Sequence, residues 1–356
     1  IMKVCILGNN LISLVLAKTL ANQGIFVDFF FKHKKTKINK TSTLGISKSN
    51  VEFFNKNILN IKKLLWKINK IEIYSDNLKN EKLINFNNKN DYLFSIIKNF
   101  ELQKYLLLNI KKNKLINFKK NFNYLNLVKD DYNLIFNCDF NNFITKKYFF
   151  RKIEKNYDSY AYTTIIKHKK LPNNIAKQIF TKKGPFAFLP VSKTETSIVF
   201  SARNVKNLDL KDYIKKYNSK YSIIKIYKTT RFELKSSNLR SYYNENILAF
   251  GDMLHRLHPL AGQGFNMSIR DIKEILKIIK KRLDNGLVLD KSVLIEFENK
   301  VRHKNYLFLN GIDFIYEFFR LESKIRSNIL SKSIQFLGKN KIANKFFIKS
   351  ADNGMI

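Results

Sequence analysis

Short apolar runs alternate along this chain with segments whose apolar positions recur every three or four residues. At the N-terminus, Val4 to Leu7 reads as a buried strand and Phe26 to Phe31 as a second one. Between them, Leu11, Val15, Leu16, Thr19 and Leu20 make one helix face, and Gly24 suits the helix end because glycine takes left-handed angles without a side-chain clash. The result is a βαβ opening. Ile71 to Asn77 and Tyr132 to Asp139 read as strands, and residues 77–90 as a polar loop. Phe100 to Lys111 reads as a helix with Leu102, Leu106 and Leu107 inward. Ala176 to Ser201 alternates as strands around a Gly184-Pro185 turn, with Tyr160 to Ile166 and Tyr227 to Leu234 as further strands of that sheet. Ile247 to Phe250 is another strand, ending in Gly251-Asp252. A loop with Pro259, Gly262 and Gly264 follows, then a helix with Phe265, Ile269, Ile272, Leu276 and Ile279 on one face. From Leu294 onward the pattern is helical, and Ile325 to Lys349 adds a basic amphipathic tail.

Strands alternating with helices predict an α/β fold. Within it, strand, glycine-bearing loop and helix in series around Gly251–Ile279 make a site for an anionic ligand. Glycines let the backbone approach closely, and a helix N-terminus offers unpaired N–H groups and a positive dipole end. The first βα turn is where a dinucleotide fold places G-x-G-x-x-G, but only Gly8 is kept; Asn10 and Ser13 stand at the second and third positions. Asn10 is expected to take left-handed backbone angles at modest cost, and Ser13 is small enough to pack against the strand. Phe31 replaces the acidic residue expected at the end of the second strand, removing a charge-assisted hydrogen bond of about 1.5–3 kcal/mol.

Composition adds bounds. A chain of 356 residues has material for a sizeable core and two lobes. The formal net charge of +38 suggests nucleic acid or an anionic membrane surface. Lysine, however, is spread along the chain with Asn, Ile, Phe and Tyr, as an AT-rich coding sequence would also produce. No zinc-finger, RRM or helix-turn-helix pattern accompanies the charge, so no nucleic acid partner is expected. Cys5 and Cys138 fall inside apolar runs and read as core residues of a reducing compartment. His255 and His258 have no acidic or thiol partner spaced to complete a metal site. There is no secretory pattern, and the most apolar late stretch, Tyr306 to Phe319, is broken by Asn310, Asp313 and Glu317. A cytoplasmic protein is expected. The basic tail leaves two readings open: contact with the inner-membrane surface, or a helix pair packed on the body with its lysines solvated.

The string Gly251, Asp252, His258, Pro259, Ala261, Gly262, Gln263, Gly264, Asn266, Arg270 and Asp271 resembles the second flavin motif of the FAD-dependent aromatic hydroxylases, the p-hydroxybenzoate-hydroxylase-like family. Within that family it looks most like the ubiquinone-biosynthesis hydroxylases, which usually have glycine where Ser268 sits. Gly45, Ile46 and Ser47 match a flavin-bordering stretch in which Ser42 takes the place of an arginine. Asp139 and Asn142 match the family's Asp-Gly motif, with Phe140 and Phe143 replacing its Gly and Ser; a plain strand and turn is the alternative there. Phe180, Thr181, Gly184, Pro185, Ala187, Leu189 and Pro190 match the segment that floors the family's substrate pocket. The resemblance runs collinearly from Met2 to about Ala351.

It implies a Rossmann-type FAD-binding domain (residues 1–70, 100–150 and 236–290), an inserted β-sheet substrate domain (71–99 and 151–235) and a C-terminal helical region (291–356). The implied activity is an FAD-dependent monooxygenase of ubiquinone biosynthesis. It would hydroxylate the ring of a polyprenylated phenol through a flavin C4a-hydroperoxide, using O2 and electrons from NAD(P)H or another donor. The cofactor residues so implied are Gly8, Asn10, Ser13, Asp139, Gly251, Asp252, Pro259, Gly262, Gln263, Gly264 and Asn266. Asp252 would hold the ribityl or pyrophosphate portion and Pro259 would shape the loop beside the ring. Gly262, Gln263 and Gly264 would present backbone N–H groups to an anionic reduced flavin. His258 is a neighbour of the site with no acid–base role assigned, and no side chain is assigned as catalytic. The eroded glycines motivate a different expectation: a non-catalytic or weakly flavin-binding relative that partners other ubiquinone-biosynthesis proteins. Another flavin hydroxylase, or a prenyl-lipid reductase of similar fold, is the enzymatic alternative.

Overall fold

The computed structural model describes residues 2–30, 40–78, 81–87, 91–120, 127, 132–205, 207–257, 262–325, 332 and 335. The expected βαβ opening forms as β1 (Lys3–Leu7), α1 (Leu11–Ala21) and β2 (Phe26–Phe30), with β1 and β2 parallel. Gly24 takes a φ of +76° just past the helix. Helix α1 is buried almost all round, not on one face, because the sheet covers one side and helices α3 (Asn99–Lys111) and α6 (Gln263–Asp284) cover others. Buried Thr19 survives inside it by returning its hydroxyl to the Val15 carbonyl at 2.8 Å.

In chain order, β3 (Thr43–Ser47), α2 (Lys48–Asn57), β4 (Trp66–Ile68), β5 (Lys70–Ser75), β6 (Lys82–Asn87) and β7 (Phe94–Lys98) lead to α3. Residues 82–87, expected in a loop, form β6 instead: polar Asn and Lys side chains face solvent while the backbone pairs with β5. After α3 come β8 (Ile116–Lys119), β9 (Leu134–Asn137), α4 (Phe143–Tyr148), β10 (Lys152–His168), β11 (Ile175–Thr181), β12 (Gly184–Pro190), β13 (Glu195–Arg203) and α5 (Leu210–Tyr217). The remainder is β14 (Ile223–Ile226), β15 (Thr230–Leu239), β16 (Tyr243–Asn244), β17 (Ile247–Ala249), β18 (His255–Arg256), α6 and α7 (Lys291–Ile325).

Three sheets result. The first has the order β16-β17-β9-β1-β2-β8 and is parallel except for β16. The chain leaves β1 for β2 on one side and later returns as β9 on the other. The strand order therefore reverses at β1/β9, and a crevice opens there at the carboxyl ends of the strands. The second sheet is broad, ordered β18-β15-β10-β13-β12-β11-β5-β6, with β14 beside β10. A third, β3-β7-β4, holds residues 94–98 away from the broad sheet, and the Trp66 indole N–H reaches across to the Asn173 carbonyl at 2.7 Å. The α/β class with a second sheet and a C-terminal helix is as expected. Helix α7 joins the two cores: Val293, Leu294 and Phe297 belong to the parallel-sheet core, and Phe308, Ile312 and Tyr316 to the cluster under the broad sheet. Apart from Lys332 and Gln335, the basic tail beyond 325 lies outside the described residues. No described helix is long and apolar enough to cross a membrane.

Candidate cofactor site

The crevice at the β1/β9 switch gathers the N-terminal candidates around Cys138. Gly8 has a φ of +143°, and a Cβ there would lie 2.9 Å from the Cys138 Cβ, so both conformation and space call for glycine. Asn10 does not take left-handed angles as expected. Its backbone is extended (φ −94°, ψ 172°) because it is the N-cap of α1, its side-chain oxygen accepting the Ser13 N–H at 2.9 Å. The Asn10 amide also donates to the Cys138 carbonyl at 3.0 Å, and the Ser13 hydroxyl donates to the Asn10 carbonyl at 2.7 Å. The two replacements thus support each other, and they use part of the helix N-terminus that a phosphate would otherwise take.

Phe31 lies outside the described residues. The acidic residue of β2 that is described, Asp28, is turned inward. It pairs with Lys3 at 3.0 Å and accepts from the Tyr132 hydroxyl at 2.7 Å and the Asn117 amide at 3.1 Å. Burial alone would raise its carboxyl, but the hydrogen bonds from Tyr132 and Lys3 outweigh it and hold Asp28 below the usual carboxylate range. Asp28 is therefore consumed by the core and cannot replace a ribose-binding acid.

Asp139 follows β9. Its carboxylate accepts the Asn141 N–H at 2.9 Å, while its carbonyl accepts the Thr145 hydroxyl at 2.5 Å. Asn142 caps α4 through Thr145 and donates to buried Asn137 at 2.7 Å. These bonds make a polar turn that holds itself in shape. Asp139 and Asp252 both act on Cys138: burial pushes its thiol up, and the two carboxylates add to that.

The third strand end is β17. Gly251 has a φ of +67°, and a Cβ there would meet the Ile12 side chain at 3.0 Å, so the second motif packs directly on the start of α1. Asp252 is exposed to solvent yet densely surrounded by protein, as a residue lining a recess would be. Those low-dielectric surroundings raise its carboxyl above the ordinary range, with His255 and Arg256 pulling the other way. His255 is buried and hydrogen-bonded through Nε2 to the Asp271 carboxylate, whose other oxygen accepts the Asn305 amide at 3.1 Å. Asp271 thus has a partner that spacing did not reveal. Among the described residues no cluster of His, Cys, Asp and Glu is arranged to hold a metal. His258, Pro259 and Ala261 lie outside the described residues.

Helix α6 completes the site. Gly262 caps it in the left-handed region (φ +64°) without a side-chain hydrogen bond, and a Cβ there would sit 3.3 Å from the Gly45 nitrogen. A Cβ on Gly264 would meet no described atom within 4 Å. Gln263 Oε1 is buried with no hydrogen-bond partner among the described residues. Asn266 is a clamp: its oxygen accepts the Ser47 N–H at 2.9 Å and the Asn50 amide at 3.0 Å, while its amide donates to the Gly45 carbonyl at 3.0 Å. Gly45 and Cys138 were not among the candidate cofactor residues. Gly45 was visible as a matched glycine beside Ser47, but Cys138 becomes the hub of the crevice only through the pairing of β9 with β1.

The residues fit a flavin unevenly. At α6 a glycine-walled helix N-terminus with no cap from Gly262, a buried amide oxygen with no partner among the described residues and a recessed carboxylate suit the ring and ribityl end. At α1 the Asn10 side chain already occupies part of the N-terminus where a pyrophosphate would lie.

Residues 190–286 match the model of an FAD binding domain family, a span that includes β17, the Gly-Asp turn and α6 but not the N-terminal turn. Ubiquinone biosynthesis monooxygenase COQ6 of Danio rerio is 26% identical over 207 residues, 45% of this chain and 43% of that protein. The 3-demethoxyubiquinol 3-hydroxylase of Escherichia coli K12 is 25% identical over 155 residues, 41% of this chain and 40% of that one. The chain thus spans under half the length of these curated relatives. Among solved structures, p-nitrophenol 4-monooxygenase PnpA of Pseudomonas putida DLL-E4 superposes with a TM-score of 0.77 at 9% identity, covering 100% of both chains. Klebsiella pneumoniae HpxO, complexed with FAD and uric acid, gives 0.74 at 12% identity, covering 99% of this chain and 96% of that one. The chain thus shares its fold along its whole length with these solved structures, and in sequence its residues 190–286 are similar to an FAD binding domain family.

Proposed function

We propose that the chain is an FAD-dependent monooxygenase of ubiquinone biosynthesis that hydroxylates the ring of a polyprenylated phenol, using O2 and electrons from NAD(P)H. The observation that carries this reading is the α6 N-terminus: Gly262 lies against Gly45 and gives no side-chain cap, and no described atom lies within 4 Å of a Cβ on Gly264. When bound there, the flavin supplies the redox and oxygen-activating chemistry. The chain's own residues do the rest. Asp252 accepts hydrogen bonds from ligand hydroxyls, and the N–H groups of the first turn of α6 stabilise negative charge. Asn266 ties the Gly45 strand to α6. The named activities of the curated relatives point to the same pathway, and the exposed lysines leave room for contact with an anionic membrane surface.

A second reading, a non-catalytic partner in a biosynthetic assembly, is favoured by one observation: the Asn10 side chain sits where a pyrophosphate would be held. Absorbance separates the two. Purified protein with excess FAD should keep a yellow flavin spectrum through gel filtration, and loss of all flavin would sink the enzyme reading. A mass spectrum of quinone precursors in cells lacking the protein tests the pathway: an unhydroxylated polyprenyl phenol should accumulate, and an unchanged precursor profile rejects the assignment.

A further inference from the structure

Two buried ionisable groups stand behind the cofactor recess. His255 opens β18, where Asn238 of β15 lies opposite it, and Asp271 is on α6, about two turns beyond Gly264. Both side chains are almost wholly inside the protein, and the imidazole Nε2 meets one Asp271 oxygen. The other oxygen accepts the Asn305 amide of α7 at 3.1 Å. A carboxylate this deep persists only with such partners, because a lone buried charge is neutralised instead. Asp252 stands next to the pair. The Leu254 N–H closes a tight turn onto the Gly251 carbonyl at 2.9 Å. In a 3-10 turn, side chains three apart lie one over the other, so Asp252 and His255 are neighbours. Asp252 takes the solvent side and His255 the inner side. Burial raises the Asp252 carboxyl, and His255, then Arg256, pull it back down.

Two carboxylates therefore flank one imidazole. The other charged and titratable groups packed around them have roles of their own. Exposed Arg256 donates to the Glu233 carbonyl at 3.5 Å, and Arg270 lies over the Phe308 ring at 4.5 Å. Glu298 of α7 accepts the Tyr242 N–H at 3.2 Å and holds Arg302 at 2.7 Å, while the Tyr242 hydroxyl donates to Asn238 at 3.2 Å. Asp139 approaches from the Cys138 side. A neutral imidazole would leave Asp252 and Asp271 as two like charges in low-dielectric surroundings; a protonated one gives each an opposite charge. His255 Nδ1 is buried with no hydrogen-bond partner among the described residues, so the ring acts on Asp252 through its charge. Asp252 needs to be ionised to offer its full set of acceptor sites to ligand hydroxyls. We propose that His255, clamped by Asp271, carries a proton whose charge keeps Asp252 ionised. His255 and Asp271 are then positioning residues of the recess, and Asn305 ties them to α7.

The proposal rests on the flavin reading for the identity of the ligand, but the charge coupling is measured on the full chain without any ligand. Infrared difference spectra between the protein and its Asp252→Asn variant give the pH at which the Asp252 carboxyl protonates. His255→Gln, which keeps a hydrogen bond to Asp271 but carries no charge, should move that pH up by about one to two units. The coupling is reciprocal, so the His255 ring, followed by NMR with labelled histidine, should lose its proton at a lower pH in Asp252→Asn than in the unaltered protein. This second measurement decides the matter if His255→Gln does not fold. An Asp252 titration unmoved in folded His255→Gln, a His255 ring neutral at every pH at which the protein is folded, or a ring titration indifferent to Asp252→Asn would overturn the proposal. Added FAD extends the test. Its affinity should survive acidification to a pH about one to two units lower in the unaltered protein than in His255→Gln. Flavin bound by neither protein removes the flavin reading, and the infrared and NMR titrations still decide the role of His255.

Discussion

Gly264 and Asn266 stand two positions apart on α6 and do different work. Asn266 is enclosed by its bonds to Gly45, Ser47 and Asn50, so its matched place in a flavin motif reflects how the site is held together. A Cβ at Gly264 would meet no described atom within 4 Å, so the described part of the fold has room for a side chain there. Gly264→Leu should leave the thermal unfolding midpoint nearly unchanged while removing bound flavin from the absorbance spectrum; flavin retained by a folded variant would place the ligand elsewhere. On the broad sheet, Glu72 offers a different test. Burial alone would raise its carboxyl, but hydrogen bonds from Lys70, Lys82 and Tyr74 outweigh it and bring it to about 2. A depressed carboxylate stabilises the fold above its ordinary value of 4.5 and loses that contribution as pH falls toward about 2. Glu72→Gln should therefore cost about 1–2 kcal/mol at neutral pH, reduced because the lysine ends reach solvent, and the gap should close across that acidic window in urea titrations.

At the scale of elements, the two helices that open toward the crevice differ in how they end. Helix α6 begins at a left-handed glycine, which gives its first N–H groups no side-chain cap, whereas α1 begins at Asn10, which supplies its own cap. Helix N–H groups need partners: Asn10 supplies one at α1, whereas Gly262 supplies none at α6 and leaves them to another group. Asn10→Gly would restore the missing fingerprint glycine and free the α1 terminus. It should cost only a few tenths of a kcal/mol as a cap. Flavin dissociation constants from fluorescence quenching should fall in this variant; unchanged affinity would show that α1 takes no part in binding.

Across the whole molecule, the crevice is formed by remote parts of the chain: β1, β9 and β17 at its floor, α6 at its side, and β3 held against α6 by Asn266. A ligand that touches several of these binds only the folded state. FAD at one hundred times its dissociation constant should then add about 2.7 kcal/mol to the unfolding free energy, read as a rise in melting temperature. A melting temperature indifferent to FAD would argue that these parts do not share a ligand. Much of this architecture was legible in residue order. Periodicity marked β1, α1, β2, α3 and α6, because a strand or helix face repeats over neighbouring residues. The glycine string from 262 to 264 marked the half of the site that is contiguous in the chain, since loop conformation and helix-end chemistry are local. Strand β6 was missed because its Leu83, Ile84 and Phe86 stand among lysines and asparagines in a short stretch, and its pairing with β5 is not a local property. The bond from Asn10 to the Cys138 carbonyl, the burial of Asp28 and the His255–Asp271 pair were decided only by the tertiary structure. Each depends on which distant strand or helix lies alongside, and that follows from sheet register and core packing, not from the residues next in line.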